Sequence, residues 1–200
     1  CILGLGYGTG AAKLRHTLKT QPPGADLTEF ECKRIVDLYR DSNNRITNLW
    51  RECDRAVEHI AGWTSEMREY CLGEREVLHV TKSGIRLPNG LYIRYPNLRM
   101  RDGKMSYDSR KGPVSIWGGA VVENVVQALA RIIVGEQMLK LQDRYRPVLT
   151  VHDAAVIVVP INELDDALAF ITQVMSTPPD WATGLPVACE AKHGESYGEC

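Results

Sequence analysis

Two polar residues, His152 and Asp153, interrupt the apolar stretch RPVLTVHDAAVIVVP. The flanking runs of Val, Leu and Ile read as β-strands buried on both faces, which makes the polar pair the apex of an apolar hairpin. A carboxylate there is costly unless it is hydrogen-bonded or neutralised by a cation. Asp153 therefore either closes an Asx-type turn on its own backbone or presents a metal ligand from a rigid tip. Glu123, Gln127 and Arg131 recur at every fourth position, so they share one face of a helix. That row is either a solvated stripe or a line of donors and acceptors facing a ligand in a groove. A third candidate is the opening CILGLGYGTG, with glycine at positions 4, 6, 8 and 10. A dinucleotide fingerprint needs G-x-G-x-x-G, or a final alanine, directly after a strand. Gly6, Gly8 and Ala11 meet the looser form, but only five residues precede them. No G-K-[ST] follows, so a phosphate-cradling loop is a poor reading.

The elements that must position these residues follow from periodicity and turn chemistry. AAKLRHTL continues as a helix until Pro22, Pro23 and Gly24 end it. Thr28 and Glu31 form a capping-box signature ahead of Ile35, Leu38, Tyr39, Ile46, Leu49 and Trp50 at helical spacing. That run reaches about His59, with an interruption near Ser42-Asn43-Asn44 that divides it into two helices. VLHVTKSGIRLPNGLYIRYP alternates short apolar runs with Ser-Gly and Asn-Gly, the grammar of a hairpin over about 77–98. The polar, basic stretch from Arg99 to Gly112 reads as a loop. Gly118 to Gln142 is a long helical pattern with Val122, Val125, Val126, Leu129, Ile132 and Ile133 on one side. After the His152-Asp153 hairpin, Asn162 is placed to cap ELDDALAFITQVM, and LPVACEA reads as a short terminal strand. The fold class is α+β: a helical segment with a β-hairpin over 1–112, then helix, hairpin, helix and strand over 113–200.

Composition bounds the function classes. An apolar fraction of 44% and a charged fraction of 24% over 200 residues suit an ordinary globular chain. No uninterrupted apolar run approaches the roughly 18 residues of a membrane span, and no signal-peptide pattern is present. The six cysteines form no C-x-x-C pair, which argues against a zinc site or a disulfide framework and for reduced thiols in a cytosolic compartment. Net charge is −1, but its distribution is uneven: residues 82–111 carry an excess of +6 and residues 152–200 one of −7. The basic block can meet phosphates and the acidic one can hold cations, or both are solvated faces.

The order of these blocks is more specific than any one of them. ILGLGYGTGAAKL, LPNGLYIRYPNLR, VENVVQALA, VLTVHDAAVIVVP and LPVACEAKHGESYGE, in that order, resemble the C-terminal part of the family A, polymerase I-like DNA polymerases of bacteria and their phages. The resemblance covers nearly all the chain. It implies a C-terminal fragment: fingers after their catalytic lysine over 1–112, then the second half of the palm over 113–200. By the same resemblance the glycine-rich opening is not a phosphate loop. It is the end of the fingers helix that closes over an incoming nucleotide. The family's first essential aspartate, its thumb and the Arg and Lys that grip the triphosphate would then lie before Cys1.

The implied reaction is attack of a primer 3′-hydroxyl on the α-phosphate of a dNTP with loss of pyrophosphate, assisted by two Mg²⁺ ions. The resemblance makes Asp153 a catalytic metal ligand and places His152 beside the primer terminus. It puts Leu3, Tyr7 and Gly8 at the nucleotide. Gln127, with Glu123 and Arg131 on its face, would lie along primer–template DNA. Arg94, Arg99 and Arg101 of the basic block would meet its phosphates. Three departures stand out. Ala154 replaces the usual acidic residue after the aspartate, Leu3 replaces an aromatic, and Glu123 replaces a more usual Asn. Leu3 favours a phage enzyme, working in the cytoplasm of a bacterial host. The alternatives are a single-subunit phage-type RNA polymerase palm and a catalytically decayed DNA-binding subunit.

Overall fold

The computed structural model describes residues 2–62 and 68–199, with side chains from Gly4 onward. Among the described residues, six α-helices and nine strands in three antiparallel sheets give an α+β fold. It divides into two compact units, 1–126 and 127–200.

In the first unit, α1 (Ile2–Gly6) ends after a turn and a half. The Gly8 N–H donates to the Leu5 carbonyl at 3.0 Å and the Thr9 N–H to Gly4 at 3.0 Å, with Gly8 at φ +74°. Those paired bonds and the left-handed residue form a Schellman cap, the reason a glycine follows Tyr7. The chain re-enters α2 (Ala11–Thr20) and then α3 (Glu29–Ser42), whose N-terminus carries the expected capping box. The Glu31 N–H donates to Thr28 Oγ1 at 3.2 Å and the Thr28 N–H to Glu31 Oε2 at 2.8 Å. Leu5, Leu14, Cys32 and Val36 bury against one another, so α1, α2 and α3 share one small core. The expected interruption falls at Asn43, whose side-chain amide donates to the Tyr39 carbonyl at 2.8 Å before α4 (Asn44–Ile60) begins.

Helix α4 buries Trp50, Cys53, Ala56 and Val57, and the first sheet packs on it through β2. That sheet runs β1 (Tyr70–Leu72), β2 (Leu78–Thr81), β3 (Gly84–Arg86), β4 (Tyr92–Ile93), each strand antiparallel to the next. It contains the hairpin expected over 77–98 and adds β1.

The stretch read as a loop, Arg99 to Gly112, is instead a three-stranded meander: β5 (Arg99–Arg101), β6 (Lys104–Ser109) and β7 (Gly112–Ser115). Its strands are short and polar, so they lack the apolar alternation that marks a strand. The overlooked signal is Asp102-Gly103, which takes φ +49° and +75° between paired Arg101 and Lys104. Asp-Gly with both φ values positive is the hairpin turn that matches strand twist.

Helix α5 (Gly118–Gln142) has the expected bounds. By length and composition it is apolar enough to cross a membrane, although no uninterrupted apolar run marks it in the sequence. In the second unit it is a packing helix. Gln137, 2% exposed, donates its amide to the carbonyls of Met175 and Thr177 at 2.8 and 3.1 Å, which ties α5 to the end of α6 (Leu164–Met175). The Trp181 indole N–H donates to Glu136 at 3.1 Å, reinforcing the same junction.

Strands β8 (Pro147–Val151) and β9 (Ala154–Ile157) form the expected hairpin around His152-Asp153. They are not buried on both faces: Val148 and Leu149 of β8 are 58% and 49% exposed. Among the described residues the sheet has these two strands, and a slipped register leaves Val148 out of the pairing, so there is little to cover them within it. Two further expectations change. Asn162 lies inside a 3₁₀ turn (Ile161–Glu163), and α6 starts at Leu164 without a side-chain cap. LPVACEA is not a strand, having no ladder partner among the described residues.

Candidate functional site

The candidate residues fall into both units. Tyr7, Gly8, Arg94, Arg99, Arg101 and Glu123 belong to 1–126; Gln127, Arg131, His152 and Asp153 belong to 127–200. Only the backbone of Leu3 is described, so its side-chain role lies outside the described residues.

In the first unit the Schellman cap turns Tyr7 outward, 58% exposed. Beneath the next residue lies Trp117, which the sequence reading did not single out. A β-carbon built on Gly8 would overlap the Trp117 six-membered ring, and so would one built on Gly119. The indole therefore lies against two glycine backbones, and it meets Trp50 edge-on at 5.4 Å between ring centroids. Trp-Gly-Gly at 117–119 was the available signal: a large ring beside residues that leave room for it. Another tie sets the start of α5. The Gly118 N–H donates to Asp54 Oδ1 at 2.5 Å, a carboxylate from α4 satisfying an orphan donor at the positive end of the helix. The row on α5 thus begins from a fixed N-terminus. Glu123, Gln127 and Arg131 are all exposed, as one face of the helix requires.

The three arginines are not equivalent. Arg101 donates to Asp108 Oδ1 at 2.6 Å and is only 20% exposed at its side chain. Arg99 reaches the other carboxylate oxygen at 3.7 Å, and Asn97 donates to it at 3.0 Å. Hydrogen bonds from Arg101 and Asn97 hold the Asp108 carboxyl below its usual range. Arg101 thus staples the β5–β7 sheet, while Arg94 is exposed and lies over the Tyr92 ring, 5.7 Å from its centroid.

In the second unit, His152 and Asp153 fill the two-residue connection between paired Val151 and Ala154. Both are exposed, and His152 takes a left-handed φ of +54°. That conformation is uncommon away from glycine, though His is among the residues that tolerate it. The apex offers an acidic oxygen pair of the donor type Mg²⁺ accepts. Among the described residues, however, no group of three His, Cys, Asp or Glu side chains comes together as a cation site. One carboxylate at a tip offers a single ligand, and the described residues do not complete a divalent-cation site around it.

Comparison with known proteins adds one relationship. The chain is 31% identical over 205 residues to a DNA polymerase of Bacillus phage SP02. The similarity takes in 94% of this chain and 30% of that protein, so the chain spans less than a third of the relative's length. No protein-family model matches the chain. No solved structure matches it.

Proposed function

We propose that this chain is the C-terminal part of a phage family A DNA polymerase, with fingers over 1–112 and palm over 113–200. The observation that carries the reading is the similarity to a phage DNA polymerase along 94% of the chain. The exposed His152-Asp153 apex gives that reading its chemical centre.

The reaction is template-directed. The primer 3′-oxygen bonds to the α-phosphorus of a dNTP, the bond to the bridging oxygen breaks, and pyrophosphate leaves. Tyr7, Gly8 and Leu3 border the nucleotide, the Schellman turn letting backbone approach closely where a side chain would intrude. The exposed face of α5 carries Glu123, Gln127 and Arg131 along the DNA, and His152 sits at the primer terminus. Arg94 and Arg99 meet phosphates, Arg101 being held by Asp108. Asp153 is one carboxylate for Mg²⁺, the cofactor of the two-metal mechanism in the longer protein. The remaining ligands, the thumb and the triphosphate clamp come from its N-terminal part. The enzyme works in the cytoplasm of a bacterial host.

Asp153→Asn in the longer protein should lower primer extension by at least about 10²-fold, the scale of removing one charge-stabilising group, while primer–template affinity holds. Unchanged extension would sink the reading and favour a decayed DNA-binding subunit. Preferential incorporation of ribonucleotides would favour the phage-type RNA polymerase instead.

A further inference from the structure

Helix α1 is five residues long, with glycine at positions 4 and 6 inside it and at 8 just beyond. A helix that short barely offsets the cost of its own nucleus, and glycine inside it adds backbone freedom. The Tyr7-Gly8 turn must therefore be held by contacts from elsewhere in the chain. Leu5 supplies one, buried in the core shared with α2 and α3. The glycines mark two more. A β-carbon on Gly6 would stand 3.3 Å from the Tyr39 hydroxyl of α3, and one on Gly8 would overlap the Trp117 ring.

We propose that Trp117 is a positioning residue for the incoming nucleotide: its ring braces the Tyr7-Gly8 turn and thereby sets where Tyr7 meets that nucleotide. The ring is itself held. Trp50 of α4 meets it edge-on, and the Gly119 backbone lies against it. The chain beside it is fixed by the bond from the Gly118 N–H to Asp54, also of α4. Support thus runs from α4 through Trp117 to Gly8. The ring also bears on the residue that matters most for the turn, because Gly8 is the left-handed residue that closes it, at φ +74°. Burial alone is a poor account of the tryptophan, since its ring remains 41% exposed. Its close contacts are with the glycine backbones instead.

Trp117 acts here through Tyr7, and the role rests on the reading above that Tyr7 and Gly8 border the nucleotide. The brace and the role are tested separately. The brace is read by amide hydrogen exchange on this 200-residue chain. In Trp117→Ala the Gly8 and Thr9 N–H groups, which close the turn, should lose protection about tenfold while the Val36 amide of α3 keeps its own. Trp117→Phe, which retains an aromatic ring, should recover most of that protection. The role is read by steady-state kinetics in the longer polymerase, with rates normalised to the active fraction. There Trp117→Ala should raise the KM for dNTP about tenfold and leave primer–template affinity within about twofold. In a Tyr7→Ala background the same substitution should raise KM little further, because the side chain it positions is gone. A merely structural loss would lower the active fraction and leave KM where it was.

Unchanged protection at Gly8 and Thr9 would overturn the brace. Lost protection with an unaltered KM for dNTP, or with an effect fully additive to Tyr7→Ala, would overturn the positioning role. No extension by the parent longer protein would sink the polymerase reading and the positioning role together, while the exchange measurement would still decide the brace.

Discussion

Gly8 is constrained twice, once by its own backbone and once by a ring from far along the chain. Its φ of +74° would cost a side-chain-bearing residue on the order of 1–2 kcal/mol. Its missing β-carbon also leaves the space that the Trp117 ring occupies. Gly8→Ala should therefore destabilise the chain by about 2–4 kcal/mol in urea unfolding, combining dihedral strain with a forced shift of a packed ring. Only the second part depends on Trp117. Trp117→Ala alone should cost stability through the cavity it leaves, and the double variant should cost less than the sum of the two single ones. Strict additivity would mean that ring and glycine do not press on each other. The family resemblance gave the glycine-rich opening as the end of a helix, and the Schellman turn at Tyr7-Gly8 is what the structure adds. The sequence could not display the Trp117 contact, which exists only once distant segments are brought together. His152-Asp153 was legible for the opposite reason: two polar residues between apolar runs mark their own position.

At the scale of elements, legibility followed how much of the stabilising pattern is local. The helix α3 announced itself through Thr28 and Glu31, and α5 through its long apolar spacing, because caps and periodicity are written within a few residues. The meander β5–β7 did not, since Arg-Met-Arg and Lys-Met-Ser-Tyr-Asp-Ser look like solvated chain until pairing places Arg101 beside Asp108. The strands β8 and β9 misled in their burial, because apolar composition says nothing about how many partners a sheet will have. The Asp108 cluster makes a testable consequence for the meander. Donors from Arg101 and Asn97 lower its folded-state pKa below the unfolded value. Its contribution to stability is then complete above the ordinary carboxylate range and fades as pH falls through that range toward the lower folded value. Asp108→Asn should melt below the parent chain at about pH 6, and the gap should narrow as pH falls below the ordinary carboxylate range. The test is the melting temperature of both proteins across that interval. A gap that stays constant with pH would mean that the charge of Asp108 contributes nothing.

For the molecule as a whole, the donor inventory decides what these 200 residues can do alone. Phosphoryl-type transfer between two oxygens needs charge stabilised at both the attacking and the leaving atom, and a pair of metal ions held by carboxylates is one way to supply it. Among the described residues the apex contributes Asp153 and no clustered second ligand set. Ala154, next to it, carries no carboxylate. Binding is a different matter, because phosphate contacts need only placed cations and exposed donors. In the proposed function, residues 82–111 with Gln127 and Arg131 of α5 would supply those without any metal. The two capacities should therefore separate. With labelled primer–template, dNTPs and Mg²⁺, this chain should retain salt-sensitive DNA binding yet give no primer extension above background on a denaturing gel. Adding the N-terminal part of the proposed longer polymerase as a separate polypeptide should restore extension if the two parts associate, and Asp153→Asn should abolish the restored signal. Extension by this chain alone would mean that its own residues complete the catalytic centre, and the division of labour proposed for the longer protein would have to be abandoned.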